Sequence, residues 1–166
     1  MSMMQSMLAE FEQESATTRK LLELVPEDKL SWKPHRKSYS LGQLALHVAS
    51  APGFIAMAAV PDTSEIPTTP QAEAKSKQEC LDALSASLAK AKELLGGIDD
   101  SRAMASWSAT IQGKPIMTVP RAAFVRLIMM NHIYHHRGQL SVYLRLLDVP
   151  LPSIYGPSAD TNPWAQ

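Results

Sequence analysis

Apolar side chains recur every three or four positions along four stretches of the chain, which is the spacing of one face of an α-helix. The first stretch predicts a helix over about residues 3–24, and Pro26 ends it. Residues 26–40 then form a connector, whose Leu30 and Trp32 are expected to fold back onto the core. The apolar face of this first helix consists of Leu8, Phe11, Leu21, Leu22 and Val25.

A serine followed three positions later by glutamine is a capping box, in which both side chains bond to the backbone at the start of a helix. Ser40 and Gln43 match this pattern and predict a second helix that begins just after Ser40. His47 lies beside the apolar stripe of this helix. Pro52 and Gly53 are expected to kink or interrupt it.

Residues 60–74 contain three prolines and several Ser and Thr residues, so they predict a loop. Ser76 and Glu79 form a second match to the capping box and start a third helix. Gly96 and Gly97 are typical of the end of such a helix.

Residues 101–120 lack helical spacing, and a short hairpin and an irregular crossover both fit them. Pro120 then opens the longest predicted helix, over about residues 120–147. The tail, residues 151–166, is rich in Pro, Ser and Asp and is expected to lie over the domain. Together these elements predict an all-α fold, a four-helix bundle in one domain over residues 1–166, with that crossover before the last helix.

Charge and composition narrow the class of protein. The 166 residues include 16 Lys and Arg against 16 Asp and Glu, a balance that argues against a nucleic-acid partner or an anionic membrane surface. The most apolar run is too short to cross a bilayer, and the first twenty residues lack the pattern of a signal peptide. The lone Cys80 cannot form an internal disulfide, so a cytoplasmic protein is expected.

Three of the five histidines lie close together in the last predicted helix. His132 and His136 are four positions apart, so their Cβ atoms lie about 5–6 Å apart and both rings can reach one metal ion. On a helical wheel these two residues centre the apolar arc, while Arg137 points to solvent. His135 lies at the edge of the arc and is expected to support the site or pack beside it.

A metal site of this kind needs a third protein ligand, and His47 on another helix is the best candidate. Three neutral imidazoles leave a coordination position open, as catalytic metal sites do. The residues alone also fit core histidines that are hydrogen-bonded within the protein. The metalloprotease motif H-E-x-x-H is absent, because Ile133 occupies the Glu position.

Several segments together resemble a known family. They are His132-x-x-x-His136-Arg137-Gly138-Gln139 followed by Tyr143-Leu144-Arg145, then Leu30-Ser31-Trp32-Lys33-Pro34, Ser40 through His47, and Pro150 through Gly156. These segments resemble the DinB/YfiT-like superfamily over nearly the whole chain, and the resemblance is loose over residues 52–74.

The resemblance implies a four-helix bundle that binds one divalent metal ion through His47, His132 and His136. Nickel, zinc, iron and manganese are all compatible with it. It also implies a homodimer and, for some relatives, a metal-dependent transferase or isomerase that uses a low-molecular-weight thiol.

Two neighbours of the three histidines have candidate roles. Gln139 would orient a bound water, and Tyr143 would donate a proton or a hydrogen bond; a purely structural hydrogen bond suits either residue as well. The expected function is a metal-dependent enzyme for a small molecule, either a thiol-dependent transferase or a hydrolase. The alternative is a non-catalytic module in which the metal staples the bundle or senses stress, and a fourth protein ligand would favour it.

Overall fold

The computed structural model describes residues 1–164, so the tail's residues 165 and 166 lie outside the described residues. In chain order the elements are α1 (Met3–Leu22), a 3-10 turn (Glu27–Lys29), α2 (Leu41–Ala58), β1 (Thr63–Glu65), α3 (Lys77–Leu95), α4 (Asp100–Met104), β2 (Ser106–Ile111), β3 (Lys114–Pro120), α5 (Arg121–Phe124), a π-helical segment (Val125–Met130) and α6 (Asn131–Leu146). The four long helices form the bundle, with α3 packed on α1 and α2, and α6 packed on α2 and α1.

The prediction of an all-α four-helix bundle is wrong, because the chain also forms a three-stranded mixed sheet. Its strand order is β1-β2-β3, with β1 parallel to β2 and β2 antiparallel to β3. The hairpin alternative for the crossover is confirmed by β2 and β3. Gln112 and Gly113 join these strands and both have positive φ, as a two-residue hairpin turn requires. β1 lies within the stretch predicted to be a loop.

Capping at the start of α2 is as predicted. The Ser40 hydroxyl accepts a hydrogen bond from the backbone N–H of Gln43 at 3.1 Å, and the Gln43 side chain accepts one from the Ser40 N–H at 2.9 Å. At α3 only half of the pattern forms. Ser76 caps the N–H of Glu79 at 3.1 Å, whereas the Glu79 carboxylate accepts from the N–H of Lys75 at 2.6 Å.

Helix α2 continues through Pro52 and Gly53, so the predicted interruption is wrong. A Cβ atom at Gly53 would lie 3.0 Å from the Cα of Ser87, so the absence of a side chain lets α3 approach closely. Within residues 1–164, α2 alone is long and apolar enough to cross a membrane, with a mean hydropathy of 1.3. More than half of it is buried in the bundle, which is typical of a core helix.

The sheet and the start of the last helical region hold the C-terminal end of α2. Trp107 is fully buried, stacks on Phe124 at 3.6 Å between ring centroids, and donates its indole N–H to the carbonyl of Ala58 at 2.9 Å. Arg121 is also fully buried and donates to the carbonyl of Ala59 at 2.7 Å. Carbonyls that a helix end leaves unpaired are satisfied in this way.

The predicted last helix is helical throughout, but residues 125–130 adopt π-helical geometry. A π-helical segment holds more residues per turn than an α-helix, so it shifts the residues before it around the helix axis relative to those after it. A wheel drawn at a constant α-helical angle therefore misplaces the buried face. The buried residues of α6 are Ile133, Arg137, Leu140 and Leu144.

The prediction that the side chain of Arg137 points to solvent is wrong. Only 2% of the residue is exposed, and its guanidinium lies 2.6 Å from the carboxylate of Glu14 on α1. The guanidinium also donates to the hydroxyl of Tyr155, which donates in turn to Glu14 at 2.7 Å. The tail therefore packs against α1 and α6 at Tyr155, as expected for its described part.

Candidate metal centre

Three imidazole rings converge across the contact between α2 and α6. The ring nitrogens that His47, His132 and His136 offer all lie within 4.8 Å of one another. The Nε2 atoms of His47 and His132 are 2.7 Å apart, and the ring centroids of His132 and His136 are 4.3 Å apart. No other group of three or more His, Cys, Asp or Glu side chains comes this close within residues 1–164.

The ring of His47 is oriented by Gln71. Its Nδ1 lies 2.8 Å from the Oε1 of Gln71, and the amide nitrogen of Gln71 donates instead to the carbonyl of Ala72 at 3.2 Å. An amide oxygen only accepts, so the proton of the imidazole is on Nδ1. The lone pair of Nε2 is thereby directed toward the other two rings.

Gln71 reaches this position because the loop between β1 and α3 folds back over the start of α2. The backbone carbonyl of Gln71 accepts a hydrogen bond from the side-chain amide of Gln43 at 3.0 Å. The N–H of Ala74 also contacts the carbonyl of Gly42 at 3.4 Å. Sequence reasoning missed Gln71, because an irregular loop has no periodicity that would place its side chains.

Gln139 orients the ring of His136 in the same way. Its Oε1 lies 2.7 Å from Nδ1 of His136, three positions earlier on α6. The amide therefore bonds to a ring rather than being free to hold a water through that atom. In two of the three rings, a hydrogen bond from Nδ1 to a glutamine oxygen thus fixes the orientation in which Nε2 faces the centre.

Burial favours the neutral form of two of the rings. Burial first, and then the neighbouring imidazoles of His136, His47 and His135, together lower the pKa of His132 to about 4. Burial also lowers the pKa of His136, while the hydrogen bond to Gln139 opposes that shift. Neutral imidazole is the form of histidine that binds a metal ion.

The geometry fits a small divalent cation. Two nitrogens bound at 2.0–2.1 Å to a tetrahedral ion lie about 3.3 Å apart, so the Nε2 atoms of His47 and His132 need to separate only slightly. The described residues bring three nitrogen ligands together, and no carboxylate or thiolate joins them. A three-nitrogen set leaves at least one coordination position for another molecule.

The other residues named from the sequence lie around the triad. His135 is exposed, with its ring centroid 4.8 Å from that of His136, and it is not among the three converging nitrogens. The hydroxyl of Tyr143 donates to the carbonyl of Tyr39 at 3.3 Å, and its ring packs edge-on against Trp32.

Cys80 lies away from these ligands, fully buried in the core beside Leu41 and Leu84. Burial raises the pKa of its thiol to about 12. A thiol in that state is neither a good nucleophile nor a metal ligand at neutral pH.

A helical bundle with a small sheet and three histidines converging between two helices defines a class of candidate metal-binding proteins. A family model described as the DinB family matches residues 1–164. The chain belongs to the DinB family.

Its relatives agree with this assignment over most of their length. YrdA of Bacillus subtilis (strain 168), described as uncharacterized, is 24% identical over 169 residues, which cover 96% of this chain and 90% of that protein. The crystal structure of the DinB-like protein YjoA of Bacillus subtilis has a TM-score of 0.69 at 21% identity, covering 90% of this chain and 96% of YjoA. A DinB-like protein of Bacillus cereus ATCC 10987 has a TM-score of 0.66 at 22% identity, covering 89% and 95%.

Family membership and the histidine cluster together fit a metal-binding protein. The likeness to the solved structures supports the fold.

Proposed function

We propose that this protein binds one divalent metal ion through the Nε2 atoms of His47, His132 and His136 and acts on a small molecule at the open coordination position. The observation that carries the proposal is the convergence of the three ring nitrogens within 4.8 Å. The glutamine side chains that bond to two of those rings support the proposal. In metal sites, a hydrogen bond to the non-ligating nitrogen of a histidine typically fixes which nitrogen carries the proton.

The ligand set narrows the choice of metal. Imidazole suits zinc, nickel and iron, whereas manganese prefers oxygen ligands from carboxylates, carbonyls and water. An all-nitrogen set therefore favours zinc, nickel or iron over manganese.

The surroundings of the triad favour a thiol as the activated group. A bound divalent metal lowers the pKa of a thiol or a water that coordinates it. A free thiol has a pKa of about 8.5 and water one of 15.7, so the thiol needs the smaller shift at neutral pH. Within residues 1–164, no Asp or Glu carboxylate joins the converging ligand atoms, where it could serve as the general base for a metal-bound water. A thiol-dependent transferase is therefore preferred over a hydrolase.

The chain's own residues would hold and shield the reacting group. His47, His132 and His136 are each partly buried, so the centre is shielded in part and still reachable by solvent. Gln71 and Gln139 keep two of the rings from rotating. The open position argues against a purely structural metal ion that only holds the bundle together, since a structural site is normally closed by a fourth protein ligand. The homodimer and the cytoplasmic location are part of the proposal. The homodimer rests on the family resemblance, and the location rests on the sequence, in which the lone Cys80 cannot form an internal disulfide.

Elemental analysis of the purified protein tests this proposal. After incubation with zinc, nickel or ferrous iron and removal of excess, we expect about one metal ion per chain for the wild type, as one three-ligand site requires. The His132→Ala variant should lose the ion. The matched control His135→Ala, three positions away and exposed, should keep it. Metal retained by His132→Ala, or none taken up by the wild type, would contradict the proposal.

A further inference from the structure

Residues 33–40 form a closed loop that projects from the start of α2, and we call it the basic loop. Its base is fixed on both sides, since the N–H of Leu41 donates to the carbonyl of Trp32 at 2.9 Å. The N–H of Ser38 donates to the carbonyl of His35 at 2.9 Å and makes a turn at its tip. The loop therefore holds its side chains at one place beside the bundle.

Three permanently charged cations lie within five positions of this loop. Lys33, Arg36 and Lys37 are all exposed, and within residues 1–164 none of them has a carboxylate within 4.0 Å. The chain as a whole has no net charge, with 16 basic and 16 acidic residues. The basic loop is thus a local excess of positive charge on a neutral protein.

The acidic side chains nearest along the chain form no ion pair with its three cations. Asp28 pairs with Lys29 at 3.2 Å, and the carboxylate of Glu27 accepts from the N–H of Lys77 at 2.9 Å. On the other side, the exposed carboxylate of Glu73 accepts the hydrogen bond of the Ser40 hydroxyl, so one negative charge lies at the base of the loop against its three cations.

The basic loop touches the candidate metal centre directly. The ring of Tyr39 lies edge-on against the ring of His47, with their centroids 5.8 Å apart. Lys37 is two positions from Tyr39, so their Cα atoms are at most about 7 Å apart. Lys37 therefore lies next to the residue that contacts His47, and electrostatic attraction extends over roughly 8 Å at physiological ionic strength.

We propose that the basic loop makes the metal centre selective for anionic molecules. The substrate class is a small molecule that carries a carboxylate, phosphate or sulfonate group in addition to the atom that occupies the open coordination position. Lys33, Arg36 and Lys37 attract that group, and the contact of Tyr39 with His47 sets the loop beside the centre. This inference rests on the proposed function, because it describes what that site admits.

Thiol binding to the cobalt-loaded protein tests the inference, since sulfur that coordinates Co²⁺ gives a charge-transfer band. The two probes are mercaptosuccinate, which carries two carboxylates, and 2-mercaptoethanol, which is neutral. The test variant is Lys33→Gln/Arg36→Gln/Lys37→Gln. The matched control, Lys20→Gln/Lys90→Gln/Lys114→Gln, removes the same charge from α1, α3 and β3, none of which carries a histidine of the triad.

The loop variant should bind mercaptosuccinate about fivefold more weakly than the wild type at low ionic strength, because three charges that attract its carboxylates are removed. Its affinity for 2-mercaptoethanol should stay unchanged, and the control variant should match the wild type with both thiols. The difference should vanish in 1 M salt, where charges are screened within about 3 Å.

An equal loss of mercaptosuccinate affinity in the loop and control variants would overturn the inference, and so would no loss in either. Cobalt-loaded wild type that binds neither thiol would overturn it too. A wild type that takes up no cobalt at all would refute the proposed function itself, which separates the two failures.

Discussion

The Nε2 atoms of His47 and His132 lie 2.7 Å apart, although 85 positions separate the two residues in the chain. Each histidine lies on a helix whose neighbouring residues are packed in the core, so the packing of α2 on α6 sets this distance. Two imidazole lone pairs at this separation repel each other unless a proton or a cation lies between them. The fold therefore holds the ligands ready for a positive ion.

Replacing Gln71 should weaken metal binding without unfolding the protein. Loss of such a partner of a ligating histidine typically lowers metal affinity by about 10–100-fold. We expect that loss in Gln71→Ala, and recovery in Gln71→Glu, whose oxygen can accept the same hydrogen bond from Nδ1. Competition with a chromophoric chelator measures the affinity. The exposed Gln78, which bonds to Asp82, provides the control Gln78→Ala. Equal affinities of Gln71→Ala and this control would show that Gln71 does not orient the ligand.

Breaking the ion pair between Arg137 and Glu14 should destabilise the fold strongly. The Arg137 side chain is 2% exposed and that of Glu14 is 15% exposed, so Arg137→Met leaves a largely buried carboxylate without its partner. We expect the free energy of unfolding to fall by about 3 kcal/mol, measured by urea denaturation.

The control for that experiment is Arg126→Met. Its guanidinium is 45% exposed and lies 3.7 Å from Glu10, so its loss should change stability by less than about 1 kcal/mol. Similar losses in both variants would indicate that the Arg137 pair is not specifically buried.

The sheet should contribute to stability through the stacking of Trp107 on Phe124. Truncating a fully buried tryptophan typically costs about 3–5 kcal/mol, and Trp107→Ala also leaves the carbonyl of Ala58 without its indole donor. Thermal denaturation should show a large fall in Tm for this variant. Trp164→Ala, at a position 71% exposed, should leave Tm nearly unchanged. A small effect at Trp107 would mean that the sheet is not integral to the core.

Cys80 should resist alkylation in the folded protein well into the alkaline range. Burial raises the pKa of its thiol to about 12, so the reactive thiolate is scarce in the native state below that pH. In the unfolded chain the pKa is about 8.5, so we expect iodoacetamide at pH 8 to react at least about a hundredfold faster after denaturation in urea. Mass spectrometry follows the modification. Rapid labelling of the native protein at pH 8 would contradict the burial of this thiol.

The long helices and the convergence of the three histidines were both predictable from the sequence. Helical spacing and the capping box at Ser40 placed α2, and the four-residue spacing of His132 and His136 placed two rings on one face of α6. His47 followed as the third candidate from its place beside the apolar stripe of α2, and the family resemblance implied the same residue. The capping box and the four-residue spacing involve residues close together in the chain, and the family motif recurs among relatives, so a single sequence is enough to reveal them.

The sheet and the polar contacts of the core depend on residues distant in the chain. β1 has only three residues, and its pairing with β2 across more than 40 positions leaves no periodic pattern. From the sequence, Arg137 is interpreted as a surface residue, because nothing near it in the chain shows that Glu14 of α1 lies beside it. Gln71 reaches His47 only because the loop that carries it folds back over α2.

The most direct test of the central claim is anomalous diffraction from crystals of the protein grown with zinc, recorded on both sides of the zinc absorption edge. We predict one strong anomalous peak per chain, about 2.0–2.1 Å from the Nε2 atoms of His47, His132 and His136. A peak at other side chains, or three rings that remain in direct contact with no peak between them, would contradict the assignment of a metal centre.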